Sequence, residues 1–416
     1  MVESINTHLR LIYINSLSGD KILNYSQILN NYLDIFKLLL QNKLVDPGKN
    51  DNYIFKLACE INYIEIVELL LQDDRIDPGA NDNYAIKKAS SNGHFNIVKM
   101  LLEDKRVNPG AEDNYAIRFA SSNGHLEVVK LLLEKGCDIL DPGAVNNYAF
   151  RMASIHGHIN VVKFLLECSD KRIDPSAHNN QAIAMAASKG YLEIVKFIME
   201  FGGNNIDPSA KNNFAIKKAA ENGHPDVVKF LLECNDNRID PTADKNYAIK
   251  KALENCHFEI VTLLLQDNRI DPTIDDNYIM IHASEKGHTE IIKLLLLDNR
   301  VDNCTLNYSI ITASKNNNIE AVKLFLEDNR VDPGTCNNCA IKMASINGYI
   351  EIVNLLLQDK RVDITIGDKY YISLAYHNGH LDVVRLLIPK INLDEILDAE
   401  IVDIAKNIGI IAGTKI

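Results

Sequence analysis

Apolar and polar positions alternate along the chain in a pattern that predicts pairs of short helices. In one stretch, residues 84–91 have the composition of a helix that ends near Gly93, and residues 95–103 follow with a broad apolar face. Ile97 and Leu101 lie four residues apart on that face, which is the spacing of one side of an α-helix. Gly93 supplies the left-handed backbone that often ends a helix. The pattern therefore predicts a helix–turn–helix unit whose second helix buries one face.

The same unit recurs through almost the whole chain. A phrase of the form Asn-Tyr-Ala-Ile-x-x-Ala-Ser-x-x-Gly-His is followed by an apolar helix and then by Asp-x-Arg-Ile/Val-Asp-Pro. The last alanine of the Asn-Tyr-Ala-Ile-x-x-Ala stretch stands at Ala58, Ala89, Ala120, Ala153, Ala186, Ala219, Ala252, Ala283, Ala313, Ala344 and Ala375. Subtracting neighbouring positions gives spacings of 31, 31, 33, 33, 33, 33, 31, 30, 31 and 31 residues. Such a period is typical of a repeat array, so we predict an all-α solenoid of about eleven full repeats.

The phrase that joins the units has the composition of a turn, with Asp77-Pro78-Gly79-Ala80 as a clear copy. Proline fixes φ in such a turn, and Gly79 is expected to adopt a positive φ. Ala89 and its copies are small, which is expected to let the two helices and the next repeat approach closely.

The units resemble the ankyrin repeat, a turn–helix–helix unit of 33 residues. The resemblance covers roughly residues 45–388 and is strongest at Gly93-His94 and its copies, each followed by Val/Ile-x-x-Leu-Leu. The family's Thr-Pro-Leu-His-x-Ala is replaced here by Tyr84-Ala85-Ile86-Lys87-Lys88-Ala89. The Thr–His hydrogen bonds that typically link adjacent ankyrin repeats are therefore missing, and packing area from Tyr84 is expected to replace them. The Asn-Tyr-Ala-Ile and Asp-x-Arg-Val-Asp-Pro variants also resemble the repeats of ankyrin proteins from large DNA viruses.

The two ends differ from the middle of the chain. We assign residues 1–44 to an N-terminal segment with a degenerate capping repeat, 45–388 to the repeats, and 389–416 to a C-terminal capping helix and tail. Atypical ends are expected, because a terminal repeat must present one face to water. Viral ankyrin proteins often carry a terminal segment that recruits a ubiquitin ligase. Residues 393–412 have amphipathic character without the Leu-Pro opening of that segment, so a plain cap is preferred and a ligase adaptor is the alternative.

Composition excludes several classes of function. A net charge of −12 disfavours binding to nucleic acid or to an acidic membrane, since phosphate affinity depends on clustered cations. No apolar run reaches the roughly 18 residues of a membrane span. The eight cysteines have no disulfide-framework spacing, which favours a reducing compartment. We expect a monomeric protein of the cytoplasm.

Patterns that carry chemistry are weak. The only Cys-x-x-Cys, Cys336 to Cys339, has no second pair to complete a zinc site. The histidine of each Gly-His pair is expected to bond to the backbone near the turn between the two helices, because Tyr191 and Asn318 fill the same position in other repeats. No phosphate-binding loop or hydrolase motif is present in the sequence. We therefore expect no catalytic residue, metal, cofactor or small-molecule substrate.

A series of cations occupies one position of the first helices, at Lys56, Lys87, Arg118, Arg151, Lys217, Lys250 and Lys342. A basic ladder for an acidic partner is one interpretation. A structural role is preferred, in which each side chain extends to a turn carboxylate such as Asp82 or Asp113, or to a carbonyl.

Partner specificity is expected where the repeats vary, because a binding surface must differ from unit to unit. By analogy with the family, the concave groove is lined by the residues before the key alanine, by residues near the Gly-His pair, and by the turn tips. The candidates are Lys88, Phe119, Met152, Met185, Lys218, Lys251, His282, His156, Lys189, Asn81, Asp82, Glu112, Asp113 and His178. Phe119, Met152 and Met185 are consecutive and apolar; they form a groove patch or fill the core between repeats. The sequence thus predicts a non-catalytic scaffold that binds another protein.

Overall fold

A computed structural model describes residues 34, 36–44, 46–136, 139–168, 170–234, 236–365, 369–391 and 399–410. All regular elements within these residues are helices. The described residues fall into two compact units. The first extends to Ala219 and also includes 233–239, and the second comprises 220–232 and the residues from Asp240 onward.

Each repeat contains a first and a second helix, and residues 36–41 ahead of them are also helical. The first helices of repeats 1 to 11 are Lys49–Glu60, Ala80–Ser91, Ala111–Ser122, Ala144–Ile155, Ala177–Ser188, Ala210–Glu221, Ala243–Glu254, Ile274–Lys286, Asn303–Lys315, Thr335–Ile346 and Tyr370–His377. The second helices are Ile64–Leu71, Phe95–Glu103, Leu126–Lys135, Ile159–Glu167, Leu192–Phe201, Pro225–Glu233, Phe258–Leu265, Thr289–Leu296, Ile319–Glu327, Ile350–Gln358 and Leu381–Leu387. A 3-10 turn, Ile388–Lys390, and a last helix, Ala399–Asn407, follow.

The core of each unit runs along the stacked helices. In the first unit the first helices of repeats 1 to 5 pack side by side, and in the second unit those of repeats 8 to 11 do so. All eleven key alanines, from Ala58 to Ala375, are completely buried. A methyl side chain at this position permits the close approach that the sequence predicted, and a larger side chain would force the helices apart.

The turn before each first helix differs from the prediction. Gly79 has a φ of −88°, so its place is not explained by a positive φ. The positive φ values belong instead to the three residues that follow Ala80. Asn81, Asp82 and Asn83 have φ values of 55°, 52° and 61°. A β-carbon on Gly79 would lie 2.7 Å from the carbonyl oxygen of Arg106, which explains the glycine by close approach of the next repeat.

This single left-handed turn recurs in nine repeats. Asn and Asp tolerate the left-handed region better than other side chains, which accounts for their frequency here. The last of the three residues is always Asn, and in repeats 1 to 5 and 10 its side chain bonds to the backbone of the following repeat. Asn83 Oδ1 accepts a hydrogen bond from the backbone N of Asn108 at 2.6 Å, and Asn147 Oδ1 accepts one from Asp174 N at 2.8 Å.

Two further side chains link neighbouring repeats. The arginine of each Asp-x-Arg phrase pairs with the aspartate two residues earlier. At least six of these arginines also donate to a carbonyl of the preceding repeat: Arg106, Arg172, Arg238, Arg300, Arg330 and Arg361. Arg172 Nη2 lies 2.7 Å from Asp170 Oδ2, and its Nη1 donates to Leu140 O at 2.9 Å. The histidine of the Gly-His pair acts similarly, since His125 Nε2 lies 2.9 Å from Ser91 O. The predicted bond from ring to backbone is present at His94, His125, His158 and His257, and each carbonyl belongs to the preceding repeat. It is not made by His288, whose Nε2 is buried without a hydrogen-bond partner among the described residues.

The last helix caps the array. It packs against Tyr370–His377, the position that the first helix of a further repeat would take. Ile401, Ile404 and Ala405 are buried there. Its apolar face is thus used within the chain.

Candidate protein-binding surface

The residue before each key alanine lies at the surface of its first helix. Lys88, Phe119, Met152 and Met185 hold this position in repeats 2 to 5, whose first helices pack side by side. All four side chains are half-buried. We call the surface that they form the first-helix face. Phe119, Met152 and Met185 are neither fully buried core residues nor freely exposed, so each contributes to packing and still presents apolar area to solvent.

An aromatic cluster surrounds Phe119. Its ring stacks on Tyr115 of the same helix at a centroid distance of 4.0 Å. The ring of Tyr148, from the next repeat, lies 5.7 Å away on the other side. The Arg118 guanidinium carbon is 5.2 Å from the ring centre of Tyr148, 5.7 Å from that of Phe119 and 6.0 Å from that of Tyr115. Because cations are attracted to ring faces at these distances, the three rings hold Arg118 in place.

Most cations of the series that includes Arg118 are engaged within the chain, in agreement with the preferred structural interpretation. Lys87 is almost fully buried, and its Nζ lies 2.7 Å from Glu112 Oε1 of the next repeat. Lys250 pairs with Asp275, also in the next repeat. Arg151 donates to Asn146 O at 2.7 Å, to Val145 O at 3.2 Å and to the Gln181 side chain.

The partner of Lys87 differs from the two carboxylates that were named as examples. Lys87 contacts Glu112 and not Asp82 or Asp113. The reason is that a side chain at this helix position points toward the turn of the following repeat, where Glu112 is the first left-handed residue. Since Glu112 neutralises Lys87, it is partly engaged before any partner binds.

The remaining predicted residues of the first unit lie around the first-helix face. Asn81, Asp82, Asp113 and His178 are exposed on the left-handed turns, and Lys189 is exposed beyond the first helix of repeat 5. His156 is exposed as well, and its Nδ1 lies 2.8 Å from Ser122 O. Lys218 is half-buried at the equivalent position of repeat 6.

Two predicted residues belong to the second unit and are described with it. Lys251 Nζ lies 2.6 Å from Glu254 Oε2 on the same helix. The ring of His282 is 5.5 Å from that of Tyr278, and burial lowers the pKa of His282. Its Nδ1 is buried without a hydrogen-bond partner among the described residues.

Three tyrosines at the position of Tyr84 pair with a glutamate from the preceding repeat. The Tyr84 hydroxyl donates to Glu60 at 3.1 Å, Tyr247 to Glu221 at 2.9 Å and Tyr278 to Glu254 at 3.4 Å. Burial and the adjacent Glu60 carboxylate raise the pKa of Tyr84 to about 12. These pairs, together with the Asn, Arg and His links, stand where the usual Thr–His bonds are missing.

Other types of site find little support. In the part of the chain that the structure describes, no group of three or more His, Cys, Asp or Glu side chains is arranged to hold a metal ion. None of the described helices combines the length and apolar character needed to cross a bilayer.

A family model described as ankyrin repeats in three copies matches residues 22–113, 55–142, 117–212, 183–276 and 279–368. The chain belongs to the ankyrin repeat family. The predicted all-α ankyrin solenoid is thereby confirmed. Ankyrin repeats generally mediate protein–protein interaction, and ankyrin proteins are typically non-catalytic. No curated protein matches this chain significantly.

The chemical environment of this ankyrin surface was only partly foreseen. The apolar run was identified from consecutive Phe119, Met152 and Met185, whereas Arg118 was grouped with the structural cations. One signal distinguished it: Ser91 and Ser122 occupy the positions at which other repeats carry Glu60 or Glu221. Arg118 therefore lies among tyrosines that the chain leaves without a carboxylate.

Proposed function

We propose that the protein is a non-catalytic scaffold that binds a protein partner through the first-helix face. The observation that carries this proposal is the run of Phe119, Met152 and Met185, three half-buried apolar side chains in consecutive repeats. Apolar side chains that keep part of their area in water gain free energy when a partner covers that area. The exposed turn residues and the cations at Lys88 and Lys218 surround the run and supply polar contacts.

The repeat architecture favours this use. Each first helix is tied to its neighbours by buried alanines and by side-chain hydrogen bonds to backbone, so the surface is ordered before binding. Pre-ordering lowers the entropic cost of association. Binding energy is expected to concentrate in a few central anchors, of which Phe119 is the largest side chain.

The experiment replaces Phe119, Met152 and Met185 with Ser in one variant. A partner is first isolated by affinity purification with the wild-type chain, identified by mass spectrometry and then purified. Because the three side chains are only half-buried, we expect loss of partner binding by calorimetry while helical circular dichroism and melting stay nearly unchanged.

A matched control replaces Leu57, Met343 and Leu374 with Ser. These residues hold the same position before the key alanine, are also half-buried, and lie outside the apolar run. The control variant is expected to bind as the wild type does. Equal loss of binding in both variants contradicts the assignment of the face, and unfolding of the first variant alone assigns its three residues to the core.

The alternative of a ligase adaptor rests on the C-terminal segment. Ile401, Ile404 and Ala405 are buried against repeat 11, which supports the cap and leaves the helix little apolar surface for a ligase. A location in the cytoplasm is part of the proposal, based on the scattered cysteines. The resemblance to viral ankyrin proteins, which would make the partner a host protein, has no support from a matched relative and stays a prediction.

A further inference from the structure

We propose that Arg118, together with Tyr115, Phe119 and Tyr148, forms an anchor for a carboxylate side chain of the protein partner. The partner segment would carry Asp or Glu beside a large apolar residue, which Phe119 and Met152 would cover. This inference rests on the proposed function and specifies the chemistry of the partner.

The guanidinium of Arg118 makes fewer hydrogen bonds than its N–H groups allow. Its Nη2 donates to Glu112 O at 3.0 Å, and that is its one hydrogen bond among the described residues. Nε is buried without a partner, whereas Nη1 has no partner and is not buried. No carboxylate in the described part of the chain forms an ion pair with Arg118, because Glu112 pairs with Lys87 instead.

The arginine at the same position of the neighbouring repeat makes more hydrogen bonds, with one at each of its three nitrogens. Arg151 uses Nε, Nη1 and Nη2 in three hydrogen bonds to Asn146, Gln181 and Val145. Its donors are engaged and its side chain is buried. Arg118 has the same helix position but keeps donors directed to solvent, so it is the better site for an outside acceptor.

The chain itself indicates which acceptor fits. In repeats 2, 7 and 8 the tyrosine of this position donates to a glutamate from the end of the preceding first helix, as Tyr84 does to Glu60. The residues equivalent to Glu60 in front of Tyr115 and Tyr148 are Ser91 and Ser122. The hydroxyl groups of Tyr115 and Tyr148 make no hydrogen bond in the described structure and are not buried. A carboxylate from a partner would thus occupy a place that a carboxylate of the chain occupies in other repeats.

Physical chemistry favours this combination as an anchor. A guanidinium bonds a carboxylate through two parallel N–H groups, and such charge-assisted bonds are stronger than neutral ones. The three rings restrict Arg118 in advance, so less rotamer entropy is lost when the partner binds. Arg and Tyr beside an apolar contact are the residue types in which interface energy is commonly concentrated.

The test uses a phage-displayed library of random dodecapeptides, selected on the full-length wild-type chain. The enriched sequences are expected to share Asp or Glu next to Leu, Ile, Phe or Met. A synthetic peptide of the enriched sequence and its amide version, with Asn or Gln for the carboxylate, are then titrated by fluorescence anisotropy. The amide version is expected to bind roughly 10- to 100-fold more weakly, the range for loss of a charged hydrogen-bond partner.

The Arg118→Gln variant is expected to weaken the carboxylate peptide by the same factor and to bind the amide peptide as the wild type does. Arg118→Lys should restore only part of the affinity, since an ammonium lacks the planar fork. Lys342→Gln changes the same helix position in repeat 10 and serves as the matched control with unchanged affinity. Melting by circular dichroism verifies that each variant is folded.

The outcomes separate this anchor from the proposed function. Enriched peptides without a shared carboxylate, or carboxylate peptides that bind Arg118→Gln as tightly as wild type, overturn the anchor. If those same peptides lose binding to the Phe119, Met152 and Met185 triple variant, the first-helix face still binds protein. Peptides that bind both variants as tightly as the wild type overturn the anchor and also contradict the first-helix face as the binding surface.

Discussion

Most repeats carry a glycine of positive φ between their two helices, and its role depends on the repeat that follows. Gly124 has a φ of +80°, and a β-carbon there would lie 2.5 Å from Nδ1 of His158. Gly379 has a similar φ of +83°, but nothing described lies within 4 Å of its missing β-carbon. Backbone conformation therefore favours glycine at both positions, whereas packing against the next histidine requires it only at Gly124.

Alanine substitution at these two glycines distinguishes the cost of a left-handed backbone from the cost of a steric clash with the next repeat. Gly379→Ala is expected to lower the free energy of unfolding by about 1–2 kcal/mol, the cost of a left-handed non-glycine residue. Gly124→Ala carries that cost and also displaces the His158 ring, whose Nε2 lies 3.0 Å from Ser122 O. We expect a further loss of about 1 kcal/mol from that hydrogen bond, measured by thermal and urea unfolding. Equal losses in both variants would show that the histidine ring moves aside freely.

At the scale of the element, the loop after each second helix is organised by one arginine. Asp170 Oδ1 accepts a hydrogen bond from the backbone N of Arg172 at 3.0 Å. The Arg172 guanidinium contacts the same carboxylate and reaches Leu140 O of the preceding repeat. Its hydrogen bonds to Asp170 are the main reason why the pKa of that carboxyl is lowered from 3.8. The conformation of the loop thus depends on one ionised aspartate, whereas the contact between repeats is made by Arg172 itself through Leu140 O.

Replacing this arginine should change both stability and its dependence on pH. Arg172→Gln is expected to destabilise the protein by about 1 kcal/mol at neutral pH, because the pair is partly exposed and its contribution is reduced by solvent. A carboxyl with a lowered folded pKa stabilises the fold above 3.8, and this contribution is lost as pH falls through the folded pKa. The difference between variant and wild type should therefore shrink in strong acid without vanishing, since the Leu140 bond does not require Asp170.

Melting temperatures across the acid range provide the measurement. Lys171→Gln changes the exposed residue between Asp170 and Arg172 and should leave the pH dependence unchanged. A stability difference for Arg172→Gln that stays constant into strong acid would show that the ionised Asp170 contributes nothing through its contact with Arg172.

At the scale of the whole molecule, some features follow from the repeat and others do not. The helices and the buried alanines could be predicted because a period of 30 to 33 residues places equivalent residues at equivalent positions of each repeat. The left-handed turn at Asn81, Asp82 and Asn83 could not, because three successive residues of this kind contradict ordinary backbone preference. The unpaired donors of Arg118 could be predicted only in part. Ser91 and Ser122 indicate tyrosines without a carboxylate, but the pairing of Glu112 with Lys87 from another repeat cannot be read from the sequence.

Stability in a repeat array is the sum of weak units and the links between neighbours. The buried Asn147 side chain is one such link in the first unit, because its Oδ1 accepts from Asp174 N at 2.8 Å. Neighbouring Asn146 has a comparable φ, 54° against 57° for Asn147, but its side chain is exposed. Glycine adopts both left-handed conformations without strain. Asn146→Gly and Asn147→Gly therefore differ only in that the second removes the hydrogen bond to Asp174.

We expect Asn146→Gly to be neutral or slightly stabilising and Asn147→Gly to cost about 1–3 kcal/mol, the penalty for leaving a backbone N–H without its partner. Because repeats 4 and 5 are then coupled less strongly, urea unfolding of Asn147→Gly should broaden or divide into two steps. Hydrogen exchange should locate the faster-exchanging amides on either side of the weakened contact. Similar unfolding curves for the two glycine variants would mean that the alanine packing, and not the asparagine link, determines how far cooperativity extends along the array.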